Sequence, residues 1–196
     1  MSNDGVDRTR RRLITVTTGL GAVGAVFAAT PFVLSMNPSA RAKAAGAPVE
    51  VDISQLEPGQ LMTVKWRGKP VWVLKRTPEM LEELKKDTDM LVDPDSKVDH
   101  QPSYAGGIYR SIKPQILVLV GICTHLGCSP KQRLEAGNAE GMGANWPGGF
   151  YCPCHGSKFD LSGRVFKNVP APTNLIVPPY KFLSDNRILV GEGQKA

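Results

Sequence analysis

The sequence predicts a mainly β domain of antiparallel strands, carried on one N-terminal transmembrane helix. Three features carry this reading. An uncharged run follows the Arg10-Arg11-Arg12 cluster, short apolar segments bounded by turn residues begin at Val49, and only one later segment has helix-start and helix-stop signals. With 20 glycines and 16 prolines in 196 residues, loops and short strands should outweigh long helices.

The chain is long enough for one domain plus an anchor. Hydrophobic residues make up 41% and charged residues 21%, a globular composition that excludes a disordered chain. The net charge of +6 raises the question of nucleic-acid binding until it is located. Residues 1–47 hold six basic and two acidic residues, so the excess bears on membrane topology and not on nucleic acid.

Residues 1–12 form the basic N-terminus. Leu13 to Met36 is 24 residues long. As helix that is about 36 Å, enough to cross a hydrocarbon core of about 30 Å with tilt. Thr15, Thr17, Thr18, Thr30, Gly21, Gly24 and Pro31 temper its apolarity. A mildly hydrophobic segment behind an arginine pair also describes a twin-arginine export signal. Cleavage at Ala40-Arg41-Ala42 or Ala42-Lys43-Ala44 is the competing reading; the apolar run exceeds a signal core, which favours a retained anchor. With the arginines inside, everything after Met36 faces outward. Residues 37–48, small and polar without periodicity, read as a flexible linker to a domain spanning 49–196.

Within that domain, Met62 to Trp66 and Val71 to Leu74 flank the Arg67-Gly68-Lys69-Pro70 turn as a hairpin. Pro78 to Lys86 is the one helix signal, with proline and glutamate early and lysine late. Asp87 to Tyr109 is a polar excursion. Ile116 to Ile122 is a buried strand running straight into Cys123, and Phe150-Tyr151, Arg164 to Phe166, Tyr180 to Phe182 and Arg187 to Val190 supply further short strands.

All four cysteines and two of the three histidines lie in two six-residue loops, Cys123-Thr124-His125-Leu126-Gly127-Cys128 and Cys152-Pro153-Cys154-His155-Gly156-Ser157. A disulfide-only scaffold accounts for the cysteines but not for a histidine in each loop. A structural zinc site would use CxxC or HxxxH spacing, which neither loop has. The reading that uses all six residues gives two cysteines and two histidines to a 2Fe-2S cluster and pairs the other two cysteines. His100 has no cysteine neighbour and reads as an ordinary surface residue.

The pair CTHLGC and CPCHGS resembles the Rieske iron-sulfur subunits of bacterial cytochrome bc complexes (ubiquinol-cytochrome c reductase), and the resemblance covers nearly the whole chain. It implies a Rieske-type antiparallel β-sandwich with a small cluster-binding subdomain at about 121–172. It also implies that Cys123 and Cys152 bind one iron, that His125 and His155 bind the other, and that Cys128 and Cys154 form a disulfide. By the same resemblance, His155 contacts the quinol, Ser157 donates a hydrogen bond to cluster sulfur and Leu126 shields the cluster. The implied function is to take one electron and a proton from ubiquinol and pass the electron to a cytochrome c-type haem. The implied setting is a dimeric complex with cytochrome b and cytochrome c-type subunits in the bacterial inner membrane, with the domain in the periplasm, where a disulfide persists. A Rieske small subunit of another periplasmic oxidoreductase, such as arsenite oxidase, is the alternative. Iron-sulfur assembly is cytoplasmic, so export of the folded domain suits the twin-arginine reading.

Two positions depart from the family pattern. Val169 stands where glycine is usual, ahead of Pro170-Ala171-Pro172, which resembles the loop covering the cluster's other side. Phe159 stands where high-potential members carry a tyrosine whose hydroxyl bonds a ligand sulfur. Hydrogen bonds to cluster sulfur stabilise the reduced, more negative state. Phe159→Tyr is therefore expected to raise the midpoint potential in a redox titration, and an unchanged or lower midpoint would refute this.

Overall fold

The computed structural model describes residues 5, 7–86, 88–138 and 141–193. These divide into two units, one ending at Ala44 and one beginning at Ala45.

The first unit is dominated by α1 (Arg8–Ser35). Asp7 caps it, its carboxylate accepting from Thr9 N at 3.0 Å and Arg10 N at 3.1 Å. The hydroxyls of Thr15, Thr17 and Thr30 turn back onto carbonyls of the preceding turn, at 2.7–2.9 Å for Arg11, Leu13 and Val26. These hydroxyls thus satisfy themselves within the helix, as a hydrocarbon environment demands. The helix is long and apolar enough to cross a membrane, and none of its residues is buried. Within the segment read as a linker, the alanine-rich stretch Ala40–Ala45 forms a short helix, α2. Alanine loses no side-chain entropy in a helix, a local bias invisible to a search for apolar periodicity.

Among the described residues the second unit holds nine strands, β1 (Val49–Asp52), β2 (Leu61–Trp66), β3 (Lys69–Lys75), β4 (Ile116–Val120), β5 (Lys131–Arg133), β6 (Gly149–Tyr151), β7 (Lys158–Phe159), β8 (Tyr180–Ser184) and β9 (Arg187–Val190). They form three antiparallel sheets of three strands, ordered β1-β9-β8, β2-β3-β4 and β5-β6-β7. The β2–β3 hairpin pairs Val64 with Val71 as the alternation foretold. The helix α3 is shorter than its sequence signal, Pro78–Glu83, with Thr77 as its cap. Arg164 to Phe166, read as a strand, makes only single bridges, Val165 with Phe159 and Phe166 with Leu91.

Strand β4 is buried on both faces and forms the centre of the core with Val71, Val73 and Leu74 of β3. Trp72 of β3 stacks on Phe150 of β6, ring centroids 4.8 Å apart and planes 17° apart, and so ties the β2-β3-β4 sheet to the β5-β6-β7 sheet.

Three arginines, Arg76, Arg110 and Arg164, are buried and converge on the turn Asp160 to Arg164. Arg76 donates to Leu161 O at 3.2 Å and Ser162 Oγ at 2.7 Å, and also to Pro114 O and Tyr109 O. Arg110 donates to Ser162 O, Gly163 O and Leu175 O. Arg164 pairs with Asp160 at 2.6 Å and reaches Leu84 O and Pro94 O. Burial pushes the Arg76 and Arg110 guanidiniums down to about 10, with the Asp160 carboxylate pulling them back up, so both stay charged at neutral pH. Only Asp160 is a buried counter-charge among the described residues. Asp160→Asn should therefore cost roughly 3–5 kcal/mol, the penalty for orphaning a buried charge. Chemical unfolding of the detergent-solubilised chain tests this, and a loss below about 1 kcal/mol would refute it.

Candidate metal centre

The two Cys/His loops share one backbone design. In the first, Cys123 N donates to Cys128 O at 2.7 Å and Gly127 N to Cys123 O at 3.1 Å. In the second, Cys152 N donates to Ser157 O at 2.8 Å and Gly156 N to Cys152 O at 2.9 Å. The fifth residue of each loop turns in the left-handed region, φ +86° at Gly127 and +77° at Gly156, where a side chain would strain the turn. The first loop leaves the end of β4, and the second joins β6 to β7.

On this common turn the side chains are offset. Cysteine leads both loops, histidine is third in the first and fourth in the second, and the leftover cysteines are sixth and third. The offset lets Cys128 meet Cys154, which form a disulfide across a separation of 26 residues. Cys123 and Cys152 remain free thiols and are buried. Cys152 Sγ lies within 4.8 Å of both disulfide sulfurs, but those are bonded to each other and are not thiolate donors. The His125 and His155 rings sit 4.8 Å apart, nearly perpendicular at 87°.

Three observations test whether these residues fit an iron-sulfur cluster. His125 Nδ1 is buried with no hydrogen-bond partner, an arrangement that costs free energy unless a ligand fills it. The Cys123 thiol is pushed up by burial and by the neighbouring Cys152 thiol, while the His125 backbone N–H and the Ser157 hydroxyl act to lower it by hydrogen-bonding its sulfur. Two free thiols, an orphaned imidazole nitrogen and sulfur-directed donors fit a cluster held by two cysteines and two histidines.

The remaining sequence candidates fall around this point. Leu126 is 72% exposed at the tip, and His155 is exposed with it. Ser157 is fully buried and its Oγ accepts from Ala171 N at 3.0 Å. Phe159 is buried in β7 opposite Phe150. His100 is not among these groups; its carbonyl accepts from Val177 N at 2.9 Å. Sequence reasoning missed Thr124, whose hydroxyl donates to Thr173 O at 2.7 Å and ties the first loop to the chain beyond the proline segment. It also missed the Ala171 amide, which no side-chain pattern reveals.

Two family models match the chain, "Rieske [2Fe-2S] domain" over residues 48–181 and "Ubiquitinol-cytochrome C reductase Fe-S subunit TAT signal" over residues 1–39. The "Ubiquinol-cytochrome c reductase iron-sulfur subunit" of Allochromatium vinosum is 62% identical over 98% of this chain and 93% of that protein. Its namesake from Blastochloris viridis is 43% identical over 98% of both. A solved chain of "Hyperthermophilic respiratory Complex III" is 30% identical, covering 89% of this chain and 98% of that one, with a TM-score of 0.45. With a matching domain model over most of its length and near-full-length relatives, the chain belongs to the Rieske [2Fe-2S] family.

Proposed function

We propose that this chain is the electron-transfer subunit of a membrane-bound quinol:cytochrome c oxidoreductase, accepting one electron from ubiquinol and passing it to a cytochrome c-type haem. The observation that carries the proposal is the meeting of two buried free thiols and two closely spaced imidazoles, one of them exposed, at the tip of a domain attached to an apolar helix.

In this reading Cys123 and Cys152 hold one iron, and His125 and His155 hold the other. When bound, such a cluster supplies a one-electron acceptor in a range of about −150 to +300 mV, because neutral imidazoles replace two thiolates. The chain's own residues do the rest. His155, exposed at the tip, binds the quinol hydroxyl and receives its proton, and Leu126 beside it covers apolar surface against a docking partner. The Cys128–Cys154 disulfide ties the loops together.

The partners are cytochrome b and a cytochrome c-type subunit in a dimeric complex. Arg8 and Arg10 to Arg12 stay on the cytoplasmic side of the bacterial inner membrane, α1 makes the single pass, and the domain sits in the periplasm. The match of residues 1–39 to a twin-arginine signal supports export of the folded domain. The boundaries read from the sequence, 13–36 for the anchor and 49–196 for the domain, belong to this proposal.

Membranes stripped of this chain by gene deletion should lose ubiquinol-dependent cytochrome c reduction and regain it on complementation; an unchanged rate without the chain would refute the assignment. Opening the disulfide with Cys128→Ser plus Cys154→Ser should release about 3–4 kcal/mol of loop-closure stabilisation. The double variant should then lose its electron paramagnetic resonance signal at a lower temperature than the parent, and equal thermal resistance would argue against a stabilising bridge.

A further inference from the structure

Apart from the main core, a second apolar cluster consists of Leu91, Trp146 and Phe166, with Met142 and Val169 packed against it. Trp146 lies on the connection between the two cluster loops, and its indole packs on Phe166, ring centroids 5.9 Å apart. It is held by the segment that precedes it: Nε1 donates to Arg133 O of β5 at 2.8 Å, and its carbonyl accepts from Gly137 N at 2.7 Å. Phe166 is itself clamped, its N–H donating to Lys158 O at 3.2 Å, while Lys167 N donates to Met90 O at 2.8 Å. The chain then turns through Asn168 at φ +60° and enters Val169-Pro170-Ala171-Pro172. Val169 touches both apolar clusters.

The far end of this short segment reaches the metal centre. The Ala171 amide donates to Ser157 Oγ at 3.0 Å, and both residues are buried. A serine hydroxyl has one hydrogen to give. With the Ala171 amide bonded to the hydroxyl oxygen, that hydrogen is left to point elsewhere, and Ser157 closes the second metal loop, its carbonyl accepting from Cys152 N at 2.8 Å.

We propose that Trp146 is a positioning residue for the redox centre, acting with Val169 to fix the proline segment so that the Ala171 amide holds the Ser157 hydroxyl in its orientation at the metal centre. The proposal rests on the reading that this site holds a 2Fe-2S cluster and that Ser157 donates to cluster sulfur. It also gives a role to Val169, where the family pattern has glycine: a glycine could not bridge the two clusters, so here the segment is braced by a side chain.

The test is a redox titration of the cluster, followed by its paramagnetic signal, in membranes holding the full chain. Ser157→Ala should lower the midpoint. Trp146→Ala should lower it by at least half as much, Trp146→Phe should restore most of the loss because it keeps the packing on Phe166, and Trp146→Ala added to Ser157→Ala should produce no further shift. If Trp146→Ala assembles no cluster, the milder Val169→Ala carries the test, with a smaller shift in the same direction that Ser157→Ala likewise abolishes. A midpoint unmoved by Trp146→Ala or Val169→Ala while Ser157→Ala lowers it, or shifts that persist in the Ser157→Ala background, would overturn the proposal. A midpoint unmoved by Ser157→Ala would overturn the underlying reading together with it.

Discussion

The domain depends on a concentration of buried positive charge. Three guanidiniums share one buried carboxylate, and most of their remaining donors are taken by backbone carbonyls and by the side-chain oxygens of Ser111, Ser162 and Gln101. Among the described residues of the network, Arg110 Nε alone finds no acceptor. Cations removed from water are tolerable only when nearly every N–H finds an acceptor. The geometry is therefore over-determined: the end of β3 through Arg76, the approach to β4 through Arg110, the end of α3 through Leu84 and the Leu175 segment must all meet the 160–164 turn. That turn directly follows β7, and β7 directly follows the second cluster loop. The charge network thus fixes where the second loop stands.

The first loop is fixed by other means. It leaves the fully buried strand β4, and its position relative to the second loop is set by the Trp72–Phe150 stack and by the disulfide. Because the two turns share a backbone, the site is a repeated motif in which side-chain offset does the chemical work. Shifting the histidine by one residue between loops leaves room for a cysteine on each to pair with the other.

How much of this was legible in the sequence varied with the kind of interaction. The β2–β3 hairpin and strand β4 were readable because alternation and continuous apolar runs report burial directly. The Cys128–Cys154 bridge and the meeting of the two loops were readable because cysteine and histidine are rare and crowded here. The Arg76, Arg110 and Arg164 network was not, since an arginine that saturates carbonyls by long-range contacts looks in sequence like any solvated charge. Arg164 to Phe166 reads as a strand because Val165 and Phe166 are apolar, yet in the structure their partners are a satellite cluster and single bridges. The α2 helix escaped because propensity without an apolar face leaves no periodic trace.

The disulfide joins a half-buried sulfur, Cys128, to an exposed one, Cys154, while Cys123 and Cys152 lie buried. On the proposed route the cofactor is inserted in a reducing compartment and the bridge closes only after export. At the moment of insertion the chain then offers four thiols, and no covalent bond tells iron which two to take. The choice falls to depth: the interior pair is already enclosed by the fold, and the outer pair faces solvent. Oxidation afterwards makes that choice permanent, so the bridge serves as a record of correct loading as well as a brace.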